Sequence, residues 1–442
     1  MTTLATEEPF SASVESALLQ NVCHACFNYS DGGKLKRCSR CSVVHYCSVK
    51  CQQRDWQDHS VECKCLRNYS PRIPNSFVRL IARFLFKSLS QGESFVAFNA
   101  RRCTDLQDNC EKLVSSQRHI EHFSSLFNIL LKYTHGVNLA ASRAELFSAY
   151  GKIVTNAFAI TSASGRVLGT GLYVGISVHD HSCVPDAFVY FEGSTAVMRS
   201  LQAGTSYDIS LTISYVDLIH TTDERNKIFR DQFCFTCTCP SCSDNAEDQW
   251  KMSVNTTCCA GGLCIVDPSS DWNAEPPTCV LCKNEVVLKL GEVLDYNLRA
   301  KLELEAGTRI HFQSPDEEFN HWLSVYEKFA KVLSPYNTTL VAITQNLLLA
   351  AESIGRTDIL QKCTGSTLSA YKRYLPLGHP ELTQRLRSAS VIGAGVSCDD
   401  FRNLLEEAYE SAILSHGEDH PLSKELAALL FESTSVYTPA NS

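Results

Sequence analysis

The stretch from Cys23 to Cys63 limits what this chain can fold into more than any other. It reads CHACFNYSDGGKLKRCSRCSVVHYCSVKCQQRDWQDHSVEC, with ligand-type residues spaced C-x2-C, C-x2-C, C-x3-C and H-x3-C. Eight soft ligands suffice for two tetrahedral zinc ions with none left over. A C-x2-C pair turns tightly enough to place both thiolates on one ion. The C-x3-C and H-x3-C pairs suit a helix, where residues i and i+4 share a face. A segment of about forty residues buries little apolar surface, so metal must supply its folding energy. The expected ligands are Cys23, Cys26, Cys38, Cys41, Cys47, Cys51, His59 and Cys63. His45 reads as a surface histidine and Cys65 as an ordinary thiol.

The remaining cysteines extend this reading. Of 22 Cys in 442 residues, only Cys363 and Cys398 lie beyond residue 283. So many thiols in a long chain point to metal rather than to a disulfide framework. The opening MTTLATEEPF is acidic and lacks the charged and apolar regions of a secretory signal. Apolar stretches such as LVAITQNLLLAA are too short to span a bilayer. A soluble intracellular chain of about two to four domains is expected, with no membrane contact. The net charge of -8 argues against a nucleic-acid partner.

A second cysteine group, RDQFCFTCTCPSC, spans Arg230 to Cys242. Cys237, Cys239 and Cys242 offer three clustered ligands and want a fourth. Upstream, SVHDHSCVPD at 177–186 supplies Cys183. The order of these motifs resembles the SMYD family of SET and MYND domain proteins. The likeness runs from about Cys23 to Cys242 and includes PRIPNSFVRLIARFLFKSL, NAFAI at 156–160, GTGLYVGISVHDHSC and SYVDLIHTTDERNKIFRDQFCFTCTCPSC.

The resemblance carries specific implications. In the finger, one zinc takes Cys23, Cys26, Cys47 and Cys51, and the other takes Cys38, Cys41, His59 and Cys63. Cys183 joins Cys237, Cys239 and Cys242 on a third zinc, while Cys234 points elsewhere. Asn109, Asp180, His181, Tyr215 and Phe235 fall at positions that contact S-adenosyl-L-methionine, with Phe235 against the adenine. Tyr215 matches the catalytic tyrosine, and Phe158 and Phe233 match walls of the lysine channel. The chain also departs from the family pattern. Residues 1–22 hold no Gly where the family carries a GxG stretch ahead of its finger, so they are expected to form a truncated N-terminal SET segment. Asp180 replaces an Asn, and Phe233 replaces a Tyr.

The implied fold is α+β, a SET β core with a helical insert and embedded finger, followed by a helical TPR-like domain. Its parts are 1–22 (SET segment), 23–63 (MYND finger), 64–232 (SET core with helices at about 75–150), 233–243 (post-SET zinc segment), 250–290 (linker) and 295–440 (helical domain). Residues 156–218 read as short strands with Gly turns. In the linker, Cys279 and Cys282 form a C-x2-C pair, and Cys264 with Cys258 or Cys259 would complete a fourth zinc site; the other reading is a thiol-bearing linker. Further on, Ser314 caps a helix with Pro315 at its first position and Glu317 completing a capping box. Phe319, Trp322, Leu323, Tyr326, Phe329 and Leu333 form its apolar face, and the next helix ends at Gly355. LGHPE (377–381) and GEDHPLSKE (417–425) repeat a turn-plus-Pro signal, with His379 and His420 as turn residues.

The resemblance implies transfer of a methyl group from S-adenosyl-L-methionine to a lysine of a histone or other protein. The alternative is a SET/MYND adaptor that binds proteins without catalysis. Protein partners through the finger and helical domain, a monomeric state, and a nuclear and cytoplasmic location are expected.

Overall fold

A computed structural model describes residues 1–30, 35–92, 94–137, 139, 141–162, 165–244, 246–267, 277–286, 289–392 and 398–435. The chain divides into two compact units. Unit 1 holds Met1–Ile213 and Ile228–Thr236; unit 2 holds Ser214–Lys227 and Cys237–Ser442. Among the described residues no helix is long and apolar enough to cross a membrane.

Unit 1 opens with β1 (Thr3–Glu7) and β2 (Ser11–Val14). The finger follows, with a short hairpin of β3 (Lys36–Arg37) and β4 (His45–Tyr46) and then α1 (Val49–Tyr69). Next come α2 (Ser76–Gln91), α3 (Cys110–Leu113), α4 (Gln117–Tyr133) and α5 (Arg143–Asn156), where the sequence predicts the insert. The SET strands are β5 (Ala157–Thr161), β6 (Val167–Leu172), β7 (Ala187–Glu192) and β8 (Thr195–Ser200). They form two antiparallel sheets ordered β1-β8-β7 and β2-β6-β5. Residues 1–22 therefore contribute an edge strand to each sheet, and the Glu7 carboxylate accepts the Gly175 and Ile176 N–H groups at 2.8 Å.

The β2-β6-β5 sheet stays tight because β6 carries glycine where it meets its neighbours. A Cβ at Gly169 would lie 2.3 Å from the Ser13 carbonyl oxygen and 2.6 Å from the Phe27 ring. One at Gly171 would meet the Tyr173 ring and Ile160. On the other side of β2, α2 is buried almost all round, and Arg79 lies inside it, donating to the Val14 carbonyl. An arginine is tolerated there because it satisfies strand-end carbonyls that burial would otherwise strand.

The reading of 156–218 as strands holds only to Ser200. Beyond it the backbone returns to the SET core at residues 212 and 213, through a parallel bridge of His181 to Ile213 and through the Thr212 carbonyl, which accepts from Asp186 N and Ala187 N. Short side chains take over the backbone instead: Asp208 Oδ1 accepts from Ser210 N (2.7 Å), and Asp186 Oδ2 from Thr212 N (2.9 Å). Such local bonds compete with a ladder.

The connecting helix α6 (Thr222–Ile228) runs into a π-helical turn at Phe229–Phe233. Unit 2 continues with α7 (Pro240–Ser243), α8 (Ala246–Lys251), and a hairpin of β9 (Val254–Asn255) and β10 (Leu263–Cys264). The 250–290 stretch also contains 268–276, 287 and 288, which lie outside the described residues. The helical array is α9 (Leu290–Gly307), α10 (Pro315–Phe329), α11 (Thr338–Ser353), α12 (Thr357–Tyr374), α13 (Pro380–Ile392), α14 (Cys398–His416) and α15 (Pro421–Ser435). From α9 onward each helix packs on the next.

Phe319, Trp322, Phe329 and Leu333 are buried in the array core, with Leu323 and Tyr326 packed against it. Ser314 caps α10 as expected, accepting from Glu317 N at 3.2 Å. The return arm differs from a capping box, because Glu317 Oε2 accepts from Gln313 N, one residue earlier. α11 ends just before Gly355, whose φ is +71°. His379 and His420 accept from the N–H of Glu381 and Leu422 through Nδ1, starting α13 and α15 as turn residues.

Gly169→Ala is expected to force β2 and Phe27 away from β6 and to cost ~1–3 kcal/mol, in the range of core overpacking. Chemical denaturation of the full chain checks this; an unchanged midpoint would show that the close approach carries no weight.

Candidate functional site

The β3–β4 hairpin and the first turn of α1 assemble the finger. Ser48 caps α1, accepting the Cys51 N–H at 3.1 Å, which brings Cys47 and Cys51 to the helix start. His59 and Cys63 lie one turn apart further along α1, both buried. Two knuckles supply the other ligands. At Cys23–Phe27 the Phe27 N–H bonds the Cys23 carbonyl (2.9 Å), and at Cys38–Ser42 the Ser42 N–H bonds the Cys38 carbonyl (2.9 Å). Phe27 and Ser42 take left-handed backbone, φ +57° and +58°. The first sulfur of each knuckle also faces backbone N–H groups: Ala25 and Cys26 at Cys23, Arg40 and Cys41 at Cys38.

Two donor sets result, Cys23/Cys26/Cys47/Cys51 and Cys38/Cys41/His59/Cys63, each with its ligand atoms within 4.8 Å of one another. A tetrahedral zinc with Zn–S near 2.3 Å sets ligand sulfurs about 3.8 Å apart. Cys26–Cys47 is 3.7 Å, Cys47–Cys51 3.4 Å and Cys38–Cys63 3.9 Å; Cys41 Sγ lies 3.6 Å from His59 Nε2. The chemistry and size of both sets fit zinc. The Cys23 thiol is lowered to about 4, first by its hydrogen bond with Cys26 and then by the backbone N–H groups, while the same bond pushes the Cys26 thiol up, so without metal the pair holds one thiolate. That favours the thiolate that metal requires.

Behind the second set lies a buried ionic network. His59 Nδ1 meets Glu62 Oε2 at 3.0 Å, leaving Nε2 for metal. The same oxygen receives Arg83 Nη1 (2.7 Å) and lies 3.1 Å from His24 Nε2. Arg83 Nη2 reaches Asp55 Oδ1 (2.6 Å), and Tyr46 donates to Asp55 Oδ2 (2.7 Å). Burial alone would raise the Glu62 carboxyl, but Arg83, then His59, holds it well below the carboxylate range. Burial pushes His24 down to about 4, so it stays neutral. Arg83 occupies the ground between His24, Asp55 and His59, so this trio is an ion-pair centre rather than a metal site.

The unit-1 residues implied for the cofactor and for the lysine channel fall into two groups. His181 lies 4.3 Å, ring centre to ring centre, from Phe229 and 6.1 Å from Phe235; Phe229 stacks on Phe235 at 4.9 Å and 21°. Phe233 lies 6.5 Å from Phe235. Asp180 is exposed beside His181, and its carbonyl accepts from Ile213 N. An aromatic cluster next to an exposed carboxylate fits a flat heteroaromatic ring and an ammonium, groups that S-adenosyl-L-methionine carries. The other two are held structurally. Asn109 is left-handed (φ +49°) at the start of α3, and its amide donates to Thr155 Oγ1 (3.2 Å). Phe158 packs edge-on against Tyr173, 5.9 Å between centres.

In unit 2 the sulfurs of Cys237, Cys239 and Cys242 lie within 4.8 Å of one another, a three-thiol cradle. Asn226 Oδ1 accepts the Cys237 N–H (2.9 Å), and Arg225 Nη2 lies 3.6 Å from Cys242 Sγ. Tyr215 sits half-buried at a bend, inside a turn closed by Ser214 Oγ donating to the Val216 carbonyl (2.7 Å). Cys183 is buried in unit 1, its sulfur 3.2 Å from His181 Nε2. The expected fourth group needs correction. Cys258, Cys259, Cys279 and Cys282 come together, both adjacent cysteines included, and Cys264 does not join them. Strand alternation in β10 turns Cys264 into the core, where its thiol donates to the Ile265 carbonyl.

The MYND finger family model matches residues 23–63. The human protein named histone-lysine N-methyltransferase SMYD3 is 35% identical over 238 residues, 51% of this chain and 53% of that protein. The human protein named histone-lysine N-methyltransferase SMYD1 is 23% identical over 451 residues, 96% of this chain and 83% of that protein. The Arabidopsis thaliana protein named histone-lysine N-methyltransferase ASHR1 is 26% identical over 97% of this chain and 89% of its own length. Over nearly its full length the chain is similar to SMYD proteins. In the SMYD3 and frog SMYD2-A matches the chain spans about half the length of those relatives.

Several residues that shape the site carry no spacing signal. Arg79 and Arg83, one turn apart in the otherwise apolar FVRLIARFLF, were the one visible hint of a buried ionic centre. His119 is another. Its Nε2 donates to the Asp231 carbonyl (2.6 Å), which leaves Nδ1 to accept from Tyr150 (2.8 Å), so α4 and α5 brace the turn that carries Phe229 and Phe233. In unit 2, burial pushes Lys251 down to about 8, and its Nζ donates to the Leu218 and His220 carbonyls just after Tyr215.

Arg83→Ala leaves two carboxylates buried without their partner and is expected to cost ~3–5 kcal/mol. The denaturation midpoint of the full chain should fall accordingly, and a chelator should strip zinc faster than from wild type. Unchanged values for both would remove the network from the account of the finger.

Proposed function

We propose that this chain transfers a methyl group from S-adenosyl-L-methionine to the side-chain amine of a protein lysine. The observation that carries the reading is the His181–Phe229–Phe235 cluster beside Asp180, in a chain whose relatives are named lysine methyltransferases. The cofactor, when bound, supplies an electrophilic methyl on a sulfonium. The chain's own residues must bind, orient and dehydrate. His181 and Phe235, the half-buried members of the cluster, offer ring surface to the adenine, and the buried Phe229 backs them. Asp180 can accept from the cofactor's ammonium, but as an ionised carboxylate it repels the cofactor's carboxylate, where the family's Asn would donate. Phe158 and Phe233 are apolar channel walls, and a narrow dry channel keeps the incoming amine desolvated and in line. Phe233 brings no hydroxyl, so the task of orienting the amine falls to Tyr215.

Three zinc ions belong to this reading: two in the finger and one on Cys237, Cys239 and Cys242 with Cys183 as fourth ligand. The resemblance supports Cys183, and a three-thiol cradle that needs one more donor supports it chemically. Cys183→Ser is expected to remove one zinc per chain and to increase protease cutting near residues 230–245. An unaltered zinc count would exclude Cys183 as a ligand.

The deciding measurement uses core histones and radiolabelled S-adenosyl-L-methionine, with calorimetry of the cofactor alone. Tyr215→Phe should cut transfer while sparing cofactor affinity, since its hydroxyl acts on the amine during chemistry. Asp180→Asn should tighten cofactor binding by about 1 kcal/mol, because the exposed site is screened. No detectable cofactor binding by wild type or Asp180→Asn, with zinc intact, would favour the adaptor instead.

A further inference from the structure

The hairpin that opens the helical array carries the mark of a third zinc knuckle. At Cys279–Lys283 the Lys283 N–H bonds the Cys279 carbonyl at 3.0 Å, and Lys283 takes left-handed backbone, φ +62°. The N–H groups of Leu281 and Cys282 point at Cys279 Sγ, joined by that of Leu263. This is the geometry of Cys23–Phe27 and Cys38–Ser42, bond for bond: N–H of the third and fourth residues to the first sulfur, N–H of the fifth to the first carbonyl, and a left-handed fifth residue. Left-handed backbone is strained for any residue that carries a Cβ. Here, as in the finger, neither Gly nor Asn fills the position, so something else must hold the turn.

The opposite wall is shaped to match. Cys258 and Cys259 precede a tight turn in which Gly261 has φ +68° and the Gly262 N–H bonds the Cys259 carbonyl. A Cβ at Gly262 would lie 2.4 Å from Thr256 Oγ1 and 3.2 Å from Cys259 Sγ, so only glycine leaves room for both. Across the gap, Cys282 Sγ lies 3.4 Å from Cys258 Sγ and Cys259 Sγ 3.8 Å from Cys279 Sγ. A tetrahedral zinc–thiolate site spaces its sulfurs at about 3.8 Å. All four ligands fall within 4.8 Å of one another.

We propose that Cys258, Cys259, Cys279 and Cys282 bind a zinc ion of their own, a fourth in the chain and independent of the methyl-transfer reading. Its four thiolates close a ribbon onto the helical array. Asn255 N–H bonds the Val332 carbonyl (2.7 Å) and its amide the Leu333 carbonyl (2.9 Å), while Cys264 and Cys279 enter the same core as Phe329 and Leu333. The ion therefore fastens the entry of the array as the finger's ions fasten the SET core. Binding displaces the thiol protons, so zinc uptake at this site releases acid.

The full chain tests this without disturbing the other sites. Elemental analysis of the double variant Cys279→Ser/Cys282→Ser should give one zinc per chain fewer than wild type. Cys264→Ala, in the same hairpin but outside the ligand set, should give the wild-type count. Because the double variant can misfold, thiol labelling of native wild type supplies a second reading. Cys258, Cys259 and Cys282 should resist maleimide until a chelator is added and then react together. Equal zinc counts in the double variant and wild type, immediate labelling before chelation, or a Cys258–Cys282 disulfide in non-reduced peptide maps would each overturn the proposal.

Discussion

Arg83 is the pivot on which the first unit turns. Its guanidinium reaches out of α2 to two carboxylates on α1, Asp55 and Glu62, and Glu62 in turn orients the ring of His59, a member of the second donor set. Charges this deep are costly unless paired, and a guanidinium fork with two carboxylates is one of the few arrangements that satisfies them. One residue thus joins the metal chemistry of the finger to the helical insert. The second zinc set is buried throughout where the first is partly open, and the network lies only behind the second.

The same unit carries the aromatic residues proposed for the cofactor and the lysine channel on supports of a different kind. The aromatic residues Phe229, Phe233 and Phe235 ride on a π-helical turn and its exit, a geometry that recurs at functional sites. His119 and Tyr150 clamp that turn from the insert. Side chains that must stack on a ligand are better held by buried hydrogen bonds than by loop packing alone, and here the bonds come from elements formed independently of the ligand.

Much of this was legible in the residues. Eight ligands at matched spacing identify the finger, and the order of motifs identifies the family, because metal binding and turn geometry tie function to short sequence distances. What lay hidden depends on long ones. The Arg83 contacts join residues 21 and 28 positions apart, and no local period reports them. Cys264 looked like a ligand because it is near Cys258 and Cys259 in the chain, yet β-strand alternation points it into the core. The spacing of Glu317 predicts a box closed on Ser314, but its carboxylate accepts from the residue before, Gln313. Residues 201–218 contain strand-like apolar letters, and the Asp and Ser side chains among them capture the backbone first.

Phe27 gives one of these features a wider meaning. It is the left-handed end of a zinc knuckle, and its ring presses on the glycine that lets β2 and β6 meet. The boundary that the ligand spacing draws at residues 23 and 63 therefore runs through the middle of a packed interior. A finger inherited alone would take Phe27 into water and leave Arg83 facing nothing. For this lineage the finger behaves less as a cassette that recombination can move than as an inlay: it and the SET sheets can change only together.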